Sequence, residues 1–246
     1  MTPTLILSPR FSDDSITLRR AAIALGWDVV RLASWRPPED FEPDEPVLYA
    51  EPLFNEAVAE QLGLQVVEPP EDFLVRLPEE YVGRRVRLTT ADEARSLPGP
   101  VFLKPPNRKL FPARVFASGA DLPDMPGDDP ILTSDPVEWA AEFRFFIRDR
   151  RVRAWSPYWL SGALAREGED WIVDADAAGA TRDLLDRLLA DPRVDLPTAF
   201  VLDAGVIRGV GAAVVEANEA SGSGIYGCDP VEVLDVLRAA TFHVRG

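Results

Sequence analysis

Lysine is nearly absent from this chain: Lys104 and Lys109 are its only two, against 24 arginines. Cysteine and histidine occur once each, as Cys228 and His243. A lone cysteine excludes an internal disulfide and fits a reducing compartment. No apolar run approaches the ~20 residues needed to cross a bilayer. The opening residues, Met1-Thr2-Pro3-Thr4-Leu5-Ile6-Leu7, lack the basic region and longer apolar stretch of a signal peptide. The expected location is therefore the cytoplasm. Positive charge is also scarce, with a net charge of −15. That disfavours nucleic acid and anionic membranes as partners, since both reward positive surfaces, but it leaves room for a local basic pocket around a phosphate chain.

The two lysines stand five residues apart in Val101-Phe102-Leu103-Lys104-Pro105-Pro106-Asn107-Arg108-Lys109. In a chain that otherwise carries its positive charge on arginine, their closeness suggests that a compact ammonium is needed there rather than a planar fork. A length of 246 residues suits one or two domains. Residues 5–7, 27–32, 47–50 and 64–67 read as strands. Helices are expected over 13–25 and 53–62, closed by Gly26 and Gly63. The alternation predicts a small, largely parallel Rossmann-like α/β unit over residues 1–70. No Gly-x-Gly-x-x-Gly follows its first strand, so a dinucleotide site is unsupported. Pro69-Pro70 marks the boundary to a second unit, 71–246.

In that second unit a short helix is expected over 71–77. Thr90 is placed as the N-cap of a helix over 91–97, with Glu93 completing a capping box. Residues 101–104 read as a strand, 143–147 and 152–155 as a hairpin, and 182–190 as an amphipathic helix. Strands follow at 200–207 and 211–218. Asp229-Pro230 opens a last helix, with Asp as N-cap and Pro at N1. His243 is placed near the end of that helix, in packing or dipole compensation.

The strongest chemical signal is Asp203 followed by Glu216-Ala217-Asn218. A two-residue type II′ turn at Gly209-Val210 would set Asp203 opposite Glu216, with Cβ atoms about 4.5–5.5 Å apart. Asn218 falls on the same face by the strand's period of two. Facing carboxylates repel unless something positive lies between them, and hard oxygen ligands suit Mg²⁺. The plainer alternative is a surface hairpin with one acid protonated or salt-bridged. Lys104 ends a strand too apolar for the surface and is expected to point into a cleft. Trp155, Tyr158 and Trp159 are read as core more than as a stacking platform. Cys228 shows no activating neighbour for a nucleophile.

Taken together, Lys104 on a strand, the hinge-like Thr133-Ser134-Asp135-Pro136-Val137-Glu138-Trp139, Glu142-Phe143-Arg144, Asp203 and Glu216-Ala217-Asn218 resemble the ATP-grasp superfamily. The tail Ser223-Gly224-Ile225-Tyr226-Gly227 is similar to that of a poorly characterised bacterial clade in which lysine replaces a usual active-site arginine. The resemblance covers residues 71–246 and implies an α/β (α+β) chain with an ATP-grasp fold behind a small N-terminal α/β domain. It implies ATP and Mg²⁺ as cofactors. Lys104 would contact the α- and β-phosphates, and Lys109 would approach them from the following loop. The backbone of Asp135, Pro136, Val137 and Glu138 would hold adenine, and Glu142 the ribose hydroxyls. Asp203, Glu216 and Asn218 would hold one or two Mg²⁺ ions. Arg144 would neutralise charge at the γ-phosphate or the acceptor, or else pair with Glu142. The implied activity is that of an ADP-forming ligase joining a small-molecule or peptide carboxylate to an amine or thiol. A non-catalytic ATP-binding protein and a small-molecule kinase are the alternatives. Two departures stand out. Val201 replaces the arginine that many members carry two residues before the aspartate, and no glycine-rich loop follows Lys104.

Overall fold

A computed structural model describes residues 2–107 and 110–243. Arg108 and Lys109 lie outside the described residues. The first unit comprises β1 (Pro3–Leu7), α1 (Asp13–Ala24), β2 (Asp28–Arg31), β3 (Glu45–Tyr49), α2 (Pro52–Gln61) and β4 (Leu64–Val66). Strands β2, β1 and β3 form a parallel sheet with β1 in the centre. Strand alternation buries both of its faces. Leu5, Leu7, Val47 and Tyr49 share a core with α1, while Ile6 and Leu48 pack with Val58 and Ala59 of α2. Ser12 caps α1 through a reciprocal bond with Ser15. Gly26 follows α1 with φ 75°, a left-handed conformation that stops the helix without a Cβ penalty.

Next come α3 (Phe73–Arg76), α4 (Glu79–Val82), β5 (Val86–Thr90), α5 (Ala91–Arg95), β6 (Val101–Lys104), β7 (Arg114–Phe116) and β8 (Pro130–Ser134). The single helix expected over 71–77 is instead two one-turn helices, because Leu77 takes an extended conformation ahead of Pro78. The Thr90–Glu93 capping box forms as expected. Strands β5, β8, β6 and β7 make an antiparallel sheet. Val101 and Leu103 face the core beneath α5. Phe102 and Lys104 lie on the opposite face by alternation, and both line a cleft.

The largest sheet is built from β9 (Trp139–Arg148), β10 (Arg151–Leu160) and β11 (Ala163–Leu164), and, after β12 (Arg166–Glu167), β13 (Asp170–Trp171) and α6 (Ala175–Ala190), from β14 (Ala199–Ile207) and β15 (Gly211–Asn218). Its order is β11-β10-β9-β14-β15. One face carries Phe143, Phe145, Phe200 and Leu202 against Leu184, Leu185 and Leu188 of α6. The other face carries Phe146, Ala199 and Val201 against the first unit and α7 (Pro230–Arg238). Beyond α7, β16 (Thr241–His243) pairs antiparallel with β4. His243 is thus an exposed strand residue opposite Leu64, and not a helix-end residue as expected.

Gly205, in the middle of β14, lets the backbone of β9 approach closely. A Cβ there would lie 2.2 Å from the Ala141 carbonyl oxygen. Because that neighbour is backbone in a central strand, Gly205→Ala is expected to lower the denaturation midpoint by the equivalent of about 1–3 kcal/mol. An unchanged midpoint in a urea titration would show that β9 can give way.

Candidate functional site

The β14–β15 hairpin positions the acids by a route different from the one expected. The turn has three residues, 208–210, and Ile207 pairs directly with Gly211. In-register pairing from that turn would set Asp203 opposite Val215 and turn Glu216 to the other side of the sheet. A bulge between Ala204–Val214 and Asp203–Glu216 absorbs Val215 and restores the Asp203–Glu216 pair. Arg84 braces this irregularity, donating to the carbonyls of Val214 at 2.8 Å and Val215 at 3.1 Å. Its guanidinium lies over the Trp139 ring. Burial, only partly countered by the charges of Glu142 and Glu216, lowers its pKa to about 10. Nothing in the spacing around Arg84-Arg85 marks that role.

Asp203 is wholly buried and pairs in register with Arg144 on β9. Arg144 Nε donates to Oδ1 at 2.8 Å and Nη2 to Oδ2 at 2.6 Å. Burial by itself would lower the Arg144 pKa, but the Asp203 charge outweighs it and holds the group above its ordinary range. Burial also pushes Asp203 upward. However, two short bonds to both carboxylate oxygens leave no place for a proton, so the pair is ionised. The ion partner of Arg144 is therefore Asp203 and not Glu142. Arg144 Nη1 donates to the Gly224 carbonyl at 3.1 Å, and its guanidinium sits 5.0 Å from the Tyr226 ring and 5.5 Å from that of Tyr158. The two tyrosine rings stack at 5.1 Å. Tyr226 holds φ 47°, an uncommon conformation for a non-glycine residue. The loop around it is anchored by Asp14 of α1, which accepts from Ile225 N at 2.9 Å.

Lys104 donates to Glu216 Oε2, and Asn218 Nδ2 donates to Glu216 Oε1 at 3.1 Å. Burial would raise the Glu216 pKa, but the Lys104 ammonium more than offsets this and holds it below the usual carboxylate range. Glu142 is 8% exposed and accepts from Tyr158 Oη at 3.1 Å. The hinge segment is mixed. Asp135 and Val137 line the cleft, and the Asp135 carboxylate is bound by Arg85. Glu138 turns outward to Arg208. Trp155 packs against Phe143 and Phe145, away from this cluster, and Tyr158 stands within it. Cys228 is buried, and its thiol pKa is raised to about 12 by burial, as befits an unreactive core thiol.

Three cavities meet at Glu216. The first, about 280 Å³, is an apolar slot lined by Leu74, Val86, Phe102, Leu132 and Val137, with Lys104 at its end. The second, about 510 Å³, lies under the segment after Lys104 and is bordered by Asn107, Glu216 and Asn218. The third, about 320 Å³, is closed by Pro52, Glu68 and Pro69 of the first unit and lined by Arg144, Tyr158, Glu219 and Tyr226.

Two buried glutamates give the site a pH signature. Burial, helped by the charges of Asp203 and Glu216 and opposed by the Tyr158 hydrogen bond, pushes Glu142 up to about 7. Burial and the charge of Glu68 do the same for Glu219, also to about 7. The Glu219 Oε1 atom is buried without a hydrogen-bond partner. A raised carboxyl keeps its proton in the folded chain after the unfolded chain has lost it. Its contribution to stability is therefore present below pH 4.5 and is lost as pH rises from 4.5 to about 7. Urea midpoints taken across that window should fall for the wild type and flatten for E142Q/E219Q. Parallel slopes in the two chains would refute the assignment.

An apolar slot, an ammonium at its mouth and a carboxylate-lined hub between two antiparallel sheets define the ATP-grasp class. Solved structures of that class match the chain along nearly its whole length. A RimK domain protein ATP-grasp from Sphaerobacter thermophilus is 14% identical, covering 96% of this chain and 98% of that one, with a TM-score of 0.55. The ATP-grasp ligase PsnB complexed with minimal precursor, Mg and ADP is 15% identical over 97% and 96%, with a TM-score of 0.54. A D-alanine–D-alanine ligase from Bacillus anthracis is 14% identical over 98% and 97%, with a TM-score of 0.51. At these identities the likeness shows the fold. The sequence model for the ATP-grasp domain of the arginine-to-lysine clade, family 2, matches residues 81–236, more than half of the chain. The chain belongs to that family, whose wider superfamily generally joins carboxylates to amines at the expense of ATP. No curated protein matches it. Among the described residues, no helix is long and apolar enough to cross a membrane.

Proposed function

We propose that the chain is an ADP-forming ligase in which MgATP phosphorylates a carboxylate and an amine or thiol then displaces phosphate. The observation that carries this reading is the meeting of three cavities at Glu216. A base and ribose fit the apolar slot, a phosphate chain fits the hub beside Lys104, and a second substrate fits the chamber closed by the first unit. We take the chain to divide near residue 70, so that the second substrate is enclosed between two units, with α7 and β16 returning to the first.

The residues present suit this ligand. Glu216 and the Asn218 side-chain oxygen offer hard donors for Mg²⁺, which supplies charge neutralisation between the β- and γ-phosphates when bound. Lys104, on a flexible stem, leaves Glu216 to bind phosphate. Lys109 is assigned to the same phosphates from the following segment. Val137 and Asp135 present backbone to the base from the cleft wall, beside Pro136 and Glu138, and Glu142 accepts from the ribose. Arg144 supplies the guanidinium that Val201 lacks. Val201 is wholly buried on the sheet face shared with Arg144, one strand away, so an arginine there would have no room. Catalysis in this arrangement is positioning and fixed charge rather than covalent chemistry by the protein.

The test is release of ADP from MgATP by the full chain, measured against panels of carboxylates with amines and thiols. Stimulation by one such pair, lost in Glu216→Gln, is expected. AMP as product would contradict the mechanism. Tight ATP binding without any acceptor-stimulated hydrolysis would favour a purely nucleotide-binding role, and a stable phosphorylated product would favour a kinase.

A further inference from the structure

We infer that Arg144 occupies the place of a second divalent cation, so that the site takes one metal ion, through Glu216 and Asn218, and Asp203 takes none. The inference rests on the MgATP reading given above. The two carboxylates of the hairpin face each other, yet their positive partners differ in kind. Both oxygens of Asp203 are engaged by one guanidinium, at 2.8 and 2.6 Å. That guanidinium is fixed from four directions: by β9, which carries it; by β14 through Asp203; by the Gly224 carbonyl; and by the faces of Tyr158 and Tyr226. Arg144 is 7% exposed and Asp203 not at all.

A metal on Asp203 would need one of its oxygens at about 2.0–2.1 Å. It would then stand against a cation that cannot lose its proton and has no water to retreat into. Moving Arg144 aside would leave a buried, unpaired charge.

Lys104 is a different kind of partner. Its ammonium lines both the first and second cavities, and Glu216 retains 28% side-chain exposure. Lys104 can therefore exchange Glu216 for phosphate while a metal takes its place. Glu142 does not replace Asp203 as a ligand, since Tyr158 holds its carboxyl. Among the described residues, no group of three or more acidic, histidine or cysteine side chains is arranged to hold a metal.

The experiment counts metal rather than turnover. The full chain is saturated with ADP and titrated with Mn²⁺, with free ion followed by electron paramagnetic resonance. One nucleotide-dependent Mn²⁺ per chain is expected. Two would overturn the inference while leaving the nucleotide reading intact. None would overturn both, and calorimetry with ADP alone would show whether nucleotide binding itself had failed. Two variants sharpen the test. Glu216→Gln should weaken Mn²⁺ binding by more than about tenfold, whereas Asp203→Asn, which keeps its contacts to Arg144, should leave the affinity within about twofold. Equal losses in both variants would make Asp203 a ligand and end the proposal. Should Asp203→Asn fail to fold, the wild-type count alone decides.

Discussion

Asp203→Ala should be among the most damaging substitutions in this chain, costing about 3–5 kcal/mol of folding stability, because it strands a buried guanidinium. Arg144 would keep only the Gly224 carbonyl and two aromatic faces as partners, with no water at hand. The complementary expectation concerns the double variant R144M/D203L. Replacing both charges with apolar groups of similar volume removes the desolvation penalty together with the attraction, so most of the lost stability should return. Activity should not return with it. Urea titrations of the two single variants and the double variant provide the measurement. A double variant as unstable as the sum of the singles would mean that the pair is net stabilising.

Lys104→Met should have the largest effect on ligand binding. The side chain joins the strand end to Glu216 and borders two of the three cavities. Removing a charge-assisted contact costs about 1.5–3 kcal/mol, or roughly 10–100-fold in affinity for MgADP by calorimetry. Lys104→Arg is expected to rescue little, because a broad fork does not repeat the geometry of a compact ammonium at the end of the slot. Unchanged affinity in the methionine variant would remove Lys104 from the phosphate site and, with it, the reason to read the two lysines as a pair.

Much of the secondary structure was legible from local signals. The Thr90–Glu93 capping box, the Asp229-Pro230 helix start and the glycines that end α1 and α2 are short-range devices, and they form where the sequence places them. Helix α6 starts at Ala175 rather than at 182. Its Asp174 cap and first turns are rich in alanine with one glycine, so no apolar stripe announces them. The site was legible where its parts lie close together in sequence. Asp203 and Glu216 do pair, but through a three-residue turn and a bulge, two deviations that cancel. Hidden were the relations that depend on which strands become neighbours. Arg144 and Asp203 meet only because β9 and β14 are adjacent, with 59 residues between them in the chain. Arg84 reaches the bulge from 130 residues away. No periodicity encodes such meetings, since they follow from strand order.

The bulge also makes this hairpin vulnerable in an unusual way. Val215 works as a phase shifter: upstream of it β15 keeps one alternation, and downstream it keeps the opposite one. Deleting that one valine would leave the acidic residue and the asparagine two places further on chemically unchanged, yet would swing both toward the greasy side beneath α6. A lineage drifting by single-codon loss at this point would thus lose its ligands without altering any of them.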